Sequence, residues 1–275
     1  MTDRYAVIGN PIGFSKSPLI HGSFARQFGH DIEYTAMSCE IGGFAARIDR
    51  FRAEGARGLN ITAPFKRDAF AYATDLSEAA RQAGAVNAMK FEGDHVFAEN
   101  FDGVGLTRDI VANHGVQMRG KRVLLLGAGG AARGALMPFL AEQPAALVLA
   151  NRTLSKADEL GTEFAGAGNL VVCGYADLAA VTEPFDLVIN ATSASQRGEL
   201  PPLPSVAFQR AVLAYDLAYG RGLTPFLKAA QDEAVPKLAD GVGMLVEQAA
   251  EAFAWWRGVR PNTAPLIEEL TIKLI

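Results

Sequence analysis

Short apolar runs alternate with amphipathic stretches along almost the whole chain. Residues 6–8, 32–37, 58–61, 122–126, 146–150, 170–173, 187–190 and 212–216 are brief, dominated by Val, Ile, Leu and Ala, and bounded by turn residues. Those are the marks of strands buried in a sheet. Between them, residues 18–28, 44–53, 130–141 and 155–164 carry apolar side chains three and four apart. This spacing predicts helices covering the sheet faces, with Pro18 and Thr153 as start signals. Residues 85–102 differ, because 86–91 and 95–98 flank the turn Glu92-Gly93-Asp94 and predict a hairpin that closes the first unit. A helix over 104–113 then leads into the very apolar run 123–126, so a second unit starts after Asp102. The tail from Gly241 to Ile275 is helical in pattern and free to return to the first unit. The alternation predicts an α/β protein of two domains, as its length of 275 residues allows.

Composition narrows the partners. Lys and Arg number 26 against 30 Asp and Glu, a net charge of −4, with a pI of about 5.6. That leaves no excess positive charge for a nucleic-acid backbone. The longest stretch without Asp, Glu, Lys or Arg runs from Phe164 to Ala176 and holds three glycines, too short and broken to span a bilayer. The N-terminus carries Asp3 and lacks a long apolar region, so a secretory leader is not expected and the protein is assigned to the cytoplasm. Cys39 and Cys173 are too few for a disulfide scaffold, and neither has metal-ligand spacing to a histidine, so no metal is expected.

Two regions carry chemistry. Gly127, Gly129 and Ala132 form G-x-G-x-x-A between a buried strand and a helix. In that setting glycines permit the tight turn and close backbone approach, and free N–H groups at the helix start bind a pyrophosphate. No acid ends the next strand to grip a ribose hydroxyl. Asn151-Arg152-Thr153 stands there instead, with Lys156 following, which favours the 2′-phosphate of NADP over NAD. The competing reading is a plain helix-capping turn. In the first hundred residues, Ser15 and Ser17 flank a helix entry, able either to bind a carboxylate or, for Ser17 before Pro18, to cap the helix. Asn60-Ile61-Thr62-Ala63-Pro64-Phe65-Lys66 follows a strand end, where Lys66 could serve as general acid or base or stand solvated. Asp102 could act as a carboxylate or an N-cap, and Asn87 could donate to a substrate hydroxyl or steady a turn. None of His21, His30, His95 and His114 is preferred as a catalytic base.

Taken in order, S-K-S-P at Ser15, N-I-T-A-P-F-K at Asn60, G-A-V-N at Gly84, N-F-D-G at Asn100, G-A-G-G-A-A at Gly127, N-R-T at Asn151, N-A-T-S at Asn190, Y-D-L-A-Y at Tyr215 and G-V-G-M-L-V-E-Q-A at Gly241 resemble the shikimate dehydrogenase family over nearly the whole chain. The resemblance implies a substrate-binding domain over 1–102 completed by 241–275, a Rossmann-type NADP-binding domain over 103–240, and an active site in the cleft between them. It implies Lys66 and Asp102 as the catalytic pair and Ser15 and Ser17 on the substrate carboxylate. Asn60, Thr62, Asn87, Tyr219 and Gln248 would contact its hydroxyls or line its pocket. On the cofactor side it implies Gly127, Ala128, Gly129, Gly130 and Ala131 at the pyrophosphate, and Asn151, Arg152, Thr153 and Lys156 at the adenosine phosphate end. Thr192, Leu217 and Gly241 would lie near the nicotinamide, with Glu78 a further cofactor-side candidate. The implied activity is reversible, NADP-dependent interconversion of shikimate and 3-dehydroshikimate by a monomer or homodimer whose partner is a small molecule. The alternatives are a broader quinate/shikimate dehydrogenase and a non-catalytic NADPH-binding regulator. Two departures stand out: Phe101 replaces the threonine of N-T-D-G, and Ala194-Ser195-Gln196 replaces a small S-x-G turn.

Overall fold

The computed structural model describes residues 2–178, 180–220 and 222–272. The chain forms two compact units, one of residues 1–105 with 246–268, the other of 106–245 with 269–275.

The first unit contains β1 (Asp3–Gly9), α1 (Ser17–Phe28), β2 (Ile32–Ser38), α2 (Phe44–Ala53), β3 (Ala56–Ile61), α3 (Lys66–Tyr72), β4 (Asp75–Leu76), α4 (Glu78–Ala83), β5 (Ala88–Glu92) and β6 (His95–Glu99). Its sheet runs β2-β1-β3-β5-β6-β4. β1 pairs in parallel with β2 and β3, and the expected hairpin β5–β6 is antiparallel, Phe91 facing Val96 across the turn at Gly93. Ala6 and Ile8 of β1, with Leu59 and Ile61 of β3, join Phe44, Ile48, Phe51 and Phe65 in one core. Burying each such side chain contributes roughly 1.5–3 kcal/mol. Tyr5 stacks on Trp256 with ring centroids 4.7 Å apart. Of the C-terminal chain, residues 246–268 belong to this unit, with Phe253 edge-on to Phe24 of α1.

The chain passes between units through continuous helices. α5 (Asp102–Arg108) carries it out, followed by a wide turn over Asp109–Asn113, and α10 (Val242–Arg257) carries it back before α11 (Ala264–Leu270). The helix expected over 104–113 is present, α5 running without a break into a turn of π-helix over Asp109–Asn113. The His114 N–H reaches the Asp109 carbonyl five residues back, while the buried Asp109 carboxylate accepts from Asn113 and from the Tyr215 hydroxyl at 2.7 Å. Satisfying that buried acid outweighs a regular helical turn.

The second unit is a parallel sheet in the order β12-β11-β10-β7-β8-β9. It comprises β7 (Arg122–Leu126), α6 (Gly130–Ala141), β8 (Ala146–Asn151), α7 (Leu154–Glu163), β9 (Leu170–Gly174), α8 (Tyr175–Leu178), β10 (Leu187–Asn190), β11 (Leu213–Asp216), α9 (Pro225–Asp232) and β12 (Leu238–Ala239). Val123 and Leu125 enter one core and Leu124 and Leu126 another, so β7 is buried on both faces, as its unbroken apolar run requires. Strand order reverses between β7 and β10, a topological switch point where α/β sheets bind ligands beyond the strands' carboxyl ends. No helix among the described residues is long and apolar enough to cross a membrane.

Candidate functional site

In the first unit, five of the expected residues, Lys66, Asp102, Asn87, Gln248 and Asn60, are linked through hydrogen bonds beside β3 and the start of β5. Lys66 begins α3, immediately after the β3 loop, and its Nζ lies 2.6 Å from Asp102 Oδ2. The other Asp102 oxygen accepts from Asn87 Nδ2 at 2.8 Å, and the same amide nitrogen reaches Gln248 Oε1 at 3.3 Å. Asn87 Oδ1 accepts the Phe101 backbone N–H at 2.9 Å, and Asn60 Nδ2 donates to the Asn87 carbonyl at 3.2 Å. Asp102 heads α5, yet both its oxygens serve side chains. It is Asn100 that accepts the Asp102 N–H, at 3.0 Å, while donating to the Ala85 carbonyl. Gln248 comes close because Gly105 of α5 touches α10, where a Cβ would sit 2.7 Å from the Gln248 nitrogen.

Neither serine is the cap residue of α1. Lys16 occupies the cap position of α1, Ser15 Oγ accepts the Ser17 N–H at 3.2 Å, and the Ser17 side chain is buried rather than capping. Thr62 follows β3, its N–H bonded to the Ile8 carbonyl. With one side chain 32% and the other 14% exposed, the Lys66–Asp102 pair is reachable by a ligand yet partly desolvated, where charge-assisted bonds are strong. A lysine and a carboxylate so placed are chemically able to exchange a proton with an oxygen bound beside them. Tyr219 belongs to the second unit and its side chain is exposed.

The second unit presents a cavity of about 270 Å³ at the switch point, lined by Gly127, Ala128 and Gly129 after β7, by Asn151 and Arg152 after β8, and by residues 191–194 after β10. Gly127 adopts φ +100°, where an L side chain would be strained, and a Cβ there would meet Thr192 Cγ2 at 3.0 Å. Around Gly129 and Gly130 nothing stands within 4 Å of an added Cβ, and no side chain caps α6. Open space thus faces uncapped N–H groups, the arrangement a phosphate fills. Asn151 ties the turns together, accepting from Ala128 N at 3.2 Å and donating to the Thr153 carbonyl. Thr153 takes the cap position of α7 without a side-chain bond, so capping alone does not account for Asn-Arg-Thr. The charge of Arg152 is felt by Glu199 and Tyr175, which line the same cavity. These residues fit NADP: a glycine turn for its pyrophosphate and a guanidinium for its 2′-phosphate.

Other expected residues stand apart from the cavity lining. Lys156 and Ala131 lie in the first turns of α7 and α6, and Leu217 and Gly241 pack backbone against backbone. Glu78 opens α4 in the first unit, accepting from Gln82 at 2.9 Å. Sequence reasoning missed Asn100, readable as an Asx turn before Asp102, and Tyr34, whose hydroxyl donates to Asn60 Oδ1 at 2.7 Å and which carries no motif.

Residues 7–89 match the shikimate dehydrogenase substrate binding domain, 109–238 the shikimate / quinate 5-dehydrogenase domain and 241–271 the shikimate 5′-dehydrogenase C-terminal domain. The chain is 53% identical to the shikimate dehydrogenase (NADP(+)) of Nitrosospira multiformis, covering 100% of this chain and 99% of that one. Among solved structures, an Ael1 enzyme from Pseudomonas putida is 55% identical with a TM-score of 0.96 and full coverage of both chains. Shikimate 5-dehydrogenase from Thermus thermophilus in complex with NADP(H) and shikimate is 30% identical with a TM-score of 0.83, covering 97% and 98%. Identity at this level, unbroken from one end to the other, reaches both the lysine–aspartate cluster and the glycine-turn cavity, and the chain belongs to the shikimate dehydrogenase family.

Proposed function

We propose that this protein is an NADP-dependent shikimate dehydrogenase, interconverting shikimate and 3-dehydroshikimate in aromatic amino-acid (chorismate) biosynthesis. The observation that carries the reading is the 2.6 Å contact of Lys66 with Asp102, itself fixed by Asn87 and Gln248, in a chain matched end to end by a shikimate dehydrogenase (NADP(+)).

The chemistry that bound NADP would supply is hydride transfer to or from the substrate carbon. The chain's residues then manage the oxygen on that carbon. In the reductive direction the Lys66 ammonium gives its proton to the carbonyl oxygen as negative charge develops there, and Asp102 keeps the ammonium aimed. In oxidation the hydroxyl proton returns to Lys66. Ser15 and Ser17 hold the carboxylate, while Asn60, Thr62, Asn87, Gln248 and Tyr219 contact hydroxyls or line the pocket. Gly127 to Ala131 take the pyrophosphate, Asn151 to Lys156 the adenosine phosphate end, and Thr192, Leu217 and Gly241 the nicotinamide side, with Glu78 a cofactor-side contact. The protein acts as a cytoplasmic monomer or homodimer; its two unpaired cysteines suit a reducing compartment.

The test is the absorbance of reduced nicotinamide with shikimate or quinate and NADP or NAD in all four pairings. Shikimate with NADP should give the highest kcat/KM. Comparable kcat/KM for quinate supports the broader dehydrogenase instead, and NADPH binding without turnover supports the regulator.

A further inference from the structure

One buried group in the first unit is used by none of these steps. His21 of α1 is fully buried, and neither ring nitrogen makes a well-formed hydrogen bond to another described residue, though the Asn60 side chain lies close enough to favour its charged form. It lies face to face with Tyr34 of β2, centroids 4.3 Å apart and planes 7° from parallel, with Trp256 at 5.3 Å and Phe24 at 6.0 Å completing an aromatic box. His21 is four residues after Ser17, so both lie on one face of α1. The stacked ring carries its hydroxyl to Asn60, donating to Oδ1 at 2.7 Å, and the Ser17 hydroxyl lies against the same phenol oxygen.

An asparagine amide has two acceptor and two donor sites. In Asn60 the Tyr34 proton takes one acceptor site, His21 lies by the amide oxygen as well, and the Asn87 carbonyl takes one donor, leaving an N–H. The Asn87 carbonyl can only accept and so faces Nδ2, which leaves Oδ1 to take the Tyr34 proton, and the two bonds together fix which way the amide points. We infer that Tyr34 is a positioning residue of the substrate site, its hydroxyl and the Asn87 carbonyl together fixing the Asn60 amide to donate to a substrate hydroxyl while His21 holds the ring in plane. This rests on the shikimate dehydrogenase reading above.

Steady-state kinetics and melting temperature of wild type, Tyr34→Phe, Asn60→Ala and the double variant test it. Tyr34→Phe keeps the stack and loses the hydroxyl's bonds to Asn60 and Ser17, so KM for shikimate should rise about three- to tenfold with KM for NADP unchanged, alongside a modest fall in Tm. In the Asn60→Ala background the same change should cost less than about twofold, since coupled residues are not additive. An unchanged shikimate KM overturns the inference, as does an equal loss with and without Asn60, or a fall in Tm with both KM values intact. A wild type that does not oxidise shikimate overturns the functional reading and this inference together.

Discussion

Acidification should destabilise the protein through His21, and the size of the effect follows from its burial. Desolvation drives the His21 pKa from 6.5 to about 3, only partly opposed by the Asn60 side chain. The unfolded chain therefore takes up a proton below pH 6.5 that the folded chain refuses until near pH 3. Stability from this group is complete above about 6.5 and falls as pH drops through that window. At pH 5, one and a half units into the window, the loss is about 2 kcal/mol at 1.36 kcal/mol per unit, a large part of a marginal fold. It does not depend on how far below 5 the folded value lies. His21→Phe keeps an aromatic ring on Tyr34 and removes the titration. Urea unfolding at pH 7 and pH 5 measures the difference, read by the fluorescence of the protein's two tryptophans, Trp255 and Trp256, both on α10. Acid-sensitive pairs such as Asp3 with Arg257 are common to both proteins and cancel. The stability of the variant relative to wild type should improve by about 2 kcal/mol between pH 7 and pH 5. A gap that stays the same at both pH values refutes a histidine held neutral.

Three further outcomes follow from the two clusters. Lys66→Ala should lower kcat by roughly 10²–10⁴ while KM for shikimate stays within about tenfold; an unchanged kcat returns Lys66 to a surface role. The Ser15→Ala, Ser17→Ala double variant should raise KM for shikimate far more than KM for NADP, because the carboxylate does not react and its contacts are uniform binding. Arg152→Asp should shift relative kcat/KM from NADP toward NAD by about 10- to 100-fold, the worth of a charged hydrogen bond at 1.5–3 kcal/mol; an unchanged preference removes Arg152 from the 2′-phosphate.

What could be read from sequence tracks how local each signal is. The strands of the second unit are apolar runs between turn residues, and the glycine turn after β7 lies where its motif requires, because both are fixed within about ten residues. The helices α3, α4 and α9 span seven, six and eight residues, too short for a clear 3.6-residue period. Lys66 and Asp102 are 36 positions apart, each with an ordinary surface or capping alternative, and only family motifs connected them. Tyr34 and His21 lay beyond both kinds of signal. Their meeting depends on how α1 lies against β2, and a histidine inside an amphipathic helix does not announce that its nitrogens will lack a well-formed hydrogen bond.

The two departures from the family pattern have physical reasons to be tolerated. At Phe101 it is the backbone N–H that serves Asn87, so that bond is indifferent to the side chain, and the ring turns edge-on to Trp255 at 5.9 Å. The threonine is thereby replaced by packing against α10, the helix that also carries Gln248. In the second unit Ser195 is buried, donating to Asp216 Oδ2 at 2.5 Å and accepting from Asn190 Nδ2 at 3.2 Å. Asn190 in turn holds Thr192 through a 2.7 Å bond from its hydroxyl, and Thr224 donates to the same Asp216 oxygen. Burial pushes the Asp216 carboxyl up, and the hydrogen bonds from Ser195, Thr224, Ala218 and Asn190 oppose the rise. A buried polar network of this kind is rigid only when each member is satisfied. The serine that departs from the family's small turn supplies one of those bonds, and so anchors the loop that lines the cavity beside the glycine turn.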